Sequence, residues 1–147
     1  MASLWTARNT LRSAAQCLRK NTRTRSFCTS RFNAAVYSKA DKTTYTKVIN
    51  DSQSRVVLVD FYADWCQPCR IFSPILEKFA SEPNTSANGL PVDLVKIDTE
   101  SDDGHVLAAE HKVTALPTVF VYKDGKPVTQ LTGALPEAHL KKFLDSL

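Results

Sequence analysis

The stretch 55-RVVLVDFYADWCQPCR-70 decides how this chain is read. Its first part, 55-RVVLVDFYA-63, is apolar after Arg55 except at Asp60, and β-branched at Val56, Val57 and Val59. A continuous apolar run of this length is the pattern of a central strand buried on both faces. After Asp64 and Trp65 come Cys66 and Cys69, with Gln67 and Pro68 between them. Ile71, Phe72, Ile75, Leu76 and Phe79 then recur at three- and four-residue spacing, which predicts a helix. Pro74 falls inside that helix and is expected to kink it.

Three chemistries compete for the two thiols. A structural metal site takes about four ligands, supplied by a second Cys-x-x-Cys or a Cys/His pair. Beyond the N-terminal segment the chain offers only His105, His111 and His139, at scattered positions, so no metal is expected. Simple core filling is a poor use of two cysteines framed by Trp65 and Pro68. Dithiol–disulfide exchange suits the context best. A two-residue gap opening a helix just after a strand brings both sulfurs within bonding reach. It also sets the first thiol over free backbone N–H groups and the positive end of the helix. Those donors favour thiolate, the nucleophilic form, at Cys66. Cys69, a turn further in, is expected to be shielded and poised to resolve.

Outward from this stretch, Ala35–Lys39 reads as a short strand and Lys42–Asn50 as a helix with Tyr45, Val48 and Ile49 inward. Ser81–Pro91 is a polar, turn-rich loop, and 92-VDLVKID-98 a second buried strand. An acidic loop, Thr99–Gly104, precedes a short helix at Val106–His111. The segment 113-VTALPTVFVYKDGKPVTQLTG-133 predicts an antiparallel hairpin turning at Asp124-Gly125. A closing helix, 136-PEAHLKKFLDSL-147, has Pro136 in its first turn and Leu140, Phe143, Leu144 and Leu147 on one face. The order β-α-β-α-β-α-β-β-α is that of an α/β sheet with parallel strands first and a hairpin last.

Charge divides the chain. Of its 19 Lys/Arg, eight fall in the first 40 residues, which hold no Asp or Glu; the remainder is net acidic. The body thus carries no polybasic patch, and neither nucleic-acid binding nor membrane embedding is expected. The leader is Arg- and Ser/Thr-rich, with Leu4, Leu11, Ala15 and Leu18 on one helical face beside a stripe of Arg8, Arg12, Arg19 and Arg23. This is the composition of a mitochondrial presequence, and it points to import machinery and the matrix. The expected division is a disordered or transiently helical presequence over 1–34 and a domain over 35–147, with cleavage between Phe27 and Ala35. Cys17 lies in the leader and Cys28 at its margin, so Cys66 and Cys69 are the thiols expected in the mature protein.

From about Lys39 to Leu147 the chain resembles the thioredoxin family. The resemblance rests on 60-DFYADWCQPCR-70, Pro74, Lys96 within Val-Lys-Ile-Asp, Leu116-Pro117-Thr118, Lys123-Asp124-Gly125 and Gly133, in the family's order. It implies the thioredoxin fold, a central mixed β-sheet flanked by helices, with a cis peptide at Leu116–Pro117. The residues alone show only that Pro117 precedes a strand, where trans is the ordinary state. It also implies the roles. Cys66 attacks a substrate disulfide and Cys69 resolves the mixed disulfide, leaving a Cys66–Cys69 bond. Asp60 takes the Cys69 proton, with Lys96 as its partner. Trp65, Gln67, Pro68, Leu116, Pro117 and Gly133 line the surface where substrate docks. By spacing alone, Lys96 reads equally well as a surface lysine and Trp65 as core.

The resemblance further implies a monomer that needs no cofactor, reduced by an NADPH-dependent flavoprotein, thioredoxin reductase. Its clients would include peroxiredoxins and methionine sulfoxide reductases. The rival expectations are a glutathione-linked oxidoreductase and a binding or chaperone module without turnover. Gln67, where the family mostly has glycine, and Thr114-Ala115 before the proline depart from the usual pattern and bear on partner choice.

Overall fold

Successive residues of a strand point to opposite faces of its sheet, and in the central strand both faces are covered. The computed structural model describes residues 34–82 and 89–146. The leader with Cys17 and Cys28, the middle of the Ser81–Pro91 loop and Leu147 lie outside the described residues. Strand β2 (Val56–Tyr62) pairs in parallel with β3 (Val92–Asp98) and antiparallel with β4 (Thr118–Lys123). Strand β1 (Val36–Tyr37) adds in parallel to β3, and β5 (Lys126–Thr132) in antiparallel to β4. The result is a mixed sheet of order β1-β3-β2-β4-β5.

Among the described residues four helices cover the sheet: α1 (Lys42–Asn50), α2 (Gln67–Ser81), α3 (Asp102–Glu110) and α4 (Glu137–Asp145). Val56 and Leu58 pack with Phe72 and Leu76 of α2 and with Leu140 and Leu144 of α4. Val57, Val59 and Phe61 pack on the other face with Val48 and Ile49 of α1 and Leu107 of α3. Each such side chain contributes roughly 1.5–3 kcal/mol on full burial, so β2 ties two helical layers together. Asp60 shares the parity of Val56 and Leu58 and therefore faces the α2 side. Its register partners are Lys96 in β3 and Val119 in β4.

One local expectation changes. The residues 99–104, expected as loop, contain the start of α3, a full turn before Val106. The Ser101 hydroxyl accepts the Gly104 N–H at 3.1 Å and caps the helix. Asp102 and Asp103 in the first turn suit the positive end of the helix dipole. Acids and a glycine thus mark a helix start, not a loop. Helix α2 continues through Pro74 to Ser81. Of the apolar residues of this helix, Ile71 is 65% exposed while Phe72, Leu76 and Phe79 are buried.

Gly104 shows how tightly this start is packed. A Cβ there would lie 1.8 Å from the Asp98 carbonyl oxygen. Alanine ordinarily stabilises a helix interior relative to glycine by about 1 kcal/mol; here the contact with backbone reverses the sign. Gly104→Ala is expected to destabilise the fold by about 2 kcal/mol, measured as a lower urea midpoint at unchanged slope.

Candidate active site

The chain leaves β2 at Tyr62, turns through Ala63–Trp65 and enters α2 at Cys66, whose N–H donates to the Ala63 carbonyl at 3.1 Å. Cys66 has an extended backbone and is the N-cap residue of α2, so its sulfur occupies the place usually taken by a Ser or Asp oxygen. The Cys69 N–H points at Cys66 Sγ across 3.3 Å. Pro68 lies in the first turn, where a missing N–H leaves no helical bond unmade. Gln67 and Pro68 are both exposed.

Cys66 and Cys69 are joined as a disulfide with their Cα atoms 5.3 Å apart. In this oxidised form both residues are buried, so exposure does not distinguish them. Position does: Cys66 precedes the helix, whereas Cys69 lies within its first turn. The pair packs with Ala63, Tyr62 and Leu116. Leu116–Pro117 is a cis peptide. Pro117 is buried and its carbonyl accepts the Gly133 N–H at 2.8 Å, which draws the start of β4 and the end of β5 together. Gly133 has φ +91, a conformation that favours glycine.

Trp65 is 69% exposed, which excludes core packing for its ring. Its indole N–H donates to Glu100 at 3.3 Å, a contact with no counterpart in the sequence reading. Glu100 lies in the turn before α3, and only folding of β2 beside β3 brings that turn to the disulfide.

A crevice of about 290 Å³ opens beside Cys69, lined also by Tyr62, Ser73, Glu77 and Lys96. A second pocket, of about 320 Å³ and lined by Lys47, Arg55 and Asp93 among others, includes neither cysteine. Asp60 is buried, and its Oδ2 accepts from the Ser73 hydroxyl at 3.4 Å. Asp60 Oδ1 has no hydrogen-bond partner among the described residues. Burial pushes the Asp60 carboxyl up to about 7, against the pull of Lys96 and Ser73. Lys96 stands opposite Asp60 in the strand register, yet its ammonium ion-pairs with Glu77 at 2.8 Å and lies over the Tyr62 ring. Lys96 therefore acts on Asp60 through space, without a direct hydrogen bond.

The model of the family described as Thioredoxin matches residues 36–146. The chain belongs to the thioredoxin family. It is 40% identical over 94 residues to a thioredoxin from Coprinus comatus, covering 64% of this chain and 81% of that one. It is 38% identical over 104 residues to a thioredoxin from Staphylococcus haemolyticus, covering 71% and 93%. Among solved structures, thioredoxin from Fasciola hepatica superposes with a TM-score of 0.62 at 34% identity, covering 75% of this chain and 97% of that one. A mutant thioredoxin from Halobacterium salinarum also gives 0.62, at 32% identity, covering 78% and 90%. As a member of the thioredoxin family, the chain is an oxidoreductase of dithiol–disulfide exchange, and its disulfide is the redox-active centre. Such chemistry takes disulfide-bearing client proteins on one side and a reductase on the other.

The raised Asp60 value has a consequence for stability. The folded protein holds this proton more tightly than the unfolded chain, whose carboxyl titrates near 3.8. Its contribution is thus fully present below about pH 4 and is lost as the pH rises through about 7. Asp60→Asn is expected to remove this slope and to stabilise the oxidised protein at pH 8 by on the order of 2–4 kcal/mol, measured by urea unfolding across that pH range.

Proposed function

We propose that this protein is a disulfide reductase of the mitochondrial matrix, acting through attack by Cys66 and resolution by Cys69. The observation that carries the mechanism is the placing of Cys66 as N-cap of α2, where a backbone N–H points at its sulfur. In the reduced protein the Cys66 thiolate attacks one sulfur of a client disulfide; a mixed disulfide forms and the other client sulfur leaves as thiolate. Asp60 accepts the Cys69 proton. The Cys69 sulfur then attacks Cys66 Sγ, the Cys66–client bond breaks, and its electron pair leaves with the client sulfur that Cys66 had attacked. The client is reduced by two electrons and Cys66–Cys69 is oxidised.

Trp65, Gln67, Pro68, Leu116, Pro117 and Gly133 form the docking surface in this reading. The exposure of Trp65, Gln67 and Pro68 beside the cysteines and the packing of half-buried Leu116 against the disulfide support it. Lys96 moderates the Asp60 carboxyl. The proposed electron donor is an NADPH-dependent flavoprotein, thioredoxin reductase, and the proposed clients are peroxiredoxins and methionine sulfoxide reductases. Residues 1–34 serve as the presequence, removed between 27 and 35, which leaves 35–147 as the mature thioredoxin domain. The acid-free basic leader on an acidic body supports that division.

With NADPH, a thioredoxin reductase and insulin as substrate, Cys66→Ser is expected to reduce turnover to background. Cys69→Ser is expected to retain the first attack and to accumulate a mixed disulfide through Cys66, visible on a non-reducing gel. Absence of that adduct would overturn the assignment of attacking and resolving sulfurs. For the leader, isolated mitochondria are expected to import the chain and shorten it by about the length of the presequence. A product that stays outside and keeps its full mass would refute the localisation.

A further inference from the structure

Cys69, Ser73 and Glu77 stand at i, i+4 and i+8 on α2, so their side chains share one face of the helix. That face forms one wall of the crevice beside the disulfide, and Tyr62 and Lys96 line it from β2 and β3. Asp60, 1% exposed, is reached from the same crevice through its contact with Ser73. The register sets Lys96 beside Asp60 on the same face of the sheet. A flexible ammonium so placed, next to a buried acid with one unpartnered oxygen, has every electrostatic reason to fold back onto it. Instead Nζ is held 2.8 Å from Glu77 Oε1 and 5.1 Å from the centre of the Tyr62 ring.

We propose that Glu77 is a positioning residue for proton transfer at Cys69: it anchors the Lys96 ammonium at the rim of the crevice and keeps it from pairing directly with Asp60. The inference rests on the proposed role of Asp60 as proton acceptor. A carboxylate locked in a direct ion pair is a poor base, because the pair stabilises the ionised form. Capture of Lys96 by Glu77 leaves the carboxyl able to take and return a proton.

The charged and titratable groups around Asp60 are few. Strand β3 contributes Lys96, with Asp98 at the strand end, and α2 contributes Cys69, Arg70 and Glu77 besides the Ser73 hydroxyl. Tyr62 and Asp64 follow on the exit of β2, while β4 presents Val119 at the register position. Lys96 pulls the Asp60 carboxyl down and Glu77 pushes it up. Glu77 thus acts in one direction both by its own charge and by restraining the lysine.

The test follows the Asp60 carboxyl directly, by carbon NMR of the full-length chain with labelled aspartate. Glu77→Gln removes a negative charge and frees Lys96, and both changes favour ionised Asp60. The midpoint is expected to fall by about one pH unit, and the pH profile of mixed-disulfide decay with it. Glu77→Asp keeps the charge and is expected to restore part of the shift. On a Lys96→Met background, Glu77→Gln is expected to move the midpoint much less. An unmoved or raised midpoint in Glu77→Gln, or an equal shift on both backgrounds, would overturn the proposal even if the melting temperature falls. Failure of the acceptor role is separable: Asp60→Asn would then leave the decay profile unchanged, while the titration still judges Glu77.

Discussion

The burial of β2 on both faces is the constraint from which the site follows. Because the strand lies between β3 and β4 with a helical layer on either side, its direction and register are fixed along its whole length. A one-residue slip would turn Val56 and Leu58 toward α1 and α3 and move Asp60 with them. The strand therefore delivers two things at set positions. One is a carboxyl inside the core, and the other is a chain end at Tyr62 from which α2 must start. The cysteines stand where these two constraints meet.

Two opposed electrostatic effects act within this small volume. At the helix start, the Cys69 N–H aimed at Cys66 Sγ and the helix dipole favour negative charge there. A short distance into the core, removal from water disfavours negative charge on Asp60. An acid that holds its proton until near neutrality is matched to taking one from a thiol and releasing it again. Lys96 pulls the Asp60 carboxyl down and Glu77 pushes it up. Gln67 stands apart from them, exposed on the first turn of α2.

Much of this was legible in the residues. The apolar run of β2, the Cys-x-x-Cys spacing and the amphipathic periods of α2 and α4 are local patterns, and each appears where its pattern lies. The start of α3 was missed because acids and glycine were read as loop composition, although Ser101 followed by two acids is itself a capping signal. The exposure of Ile71 was not legible, because helical spacing shows which residues are apolar, not which of them a neighbouring element covers. The row Cys69, Ser73, Glu77 was present at four-residue spacing, but nothing in one helix says that the row meets a lysine from another strand.

Sequence by itself determined the elements and the chemistry they carry: a buried strand with one acid, two thiols opening a helix, and the family those motifs belong to. These are properties of neighbours along the chain, set by period, propensity and spacing. Tertiary structure decided which distant residues meet. It brought Glu100 to the indole of Trp65, joined Gly133 to Pro117, and gave the Lys96 ammonium to Glu77 although the register sets Lys96 beside Asp60. Those outcomes depend on how layers close over the sheet and which charges remain in reach of water. They belong to the packed whole, because the energy of a charge in a protein depends on everything around it.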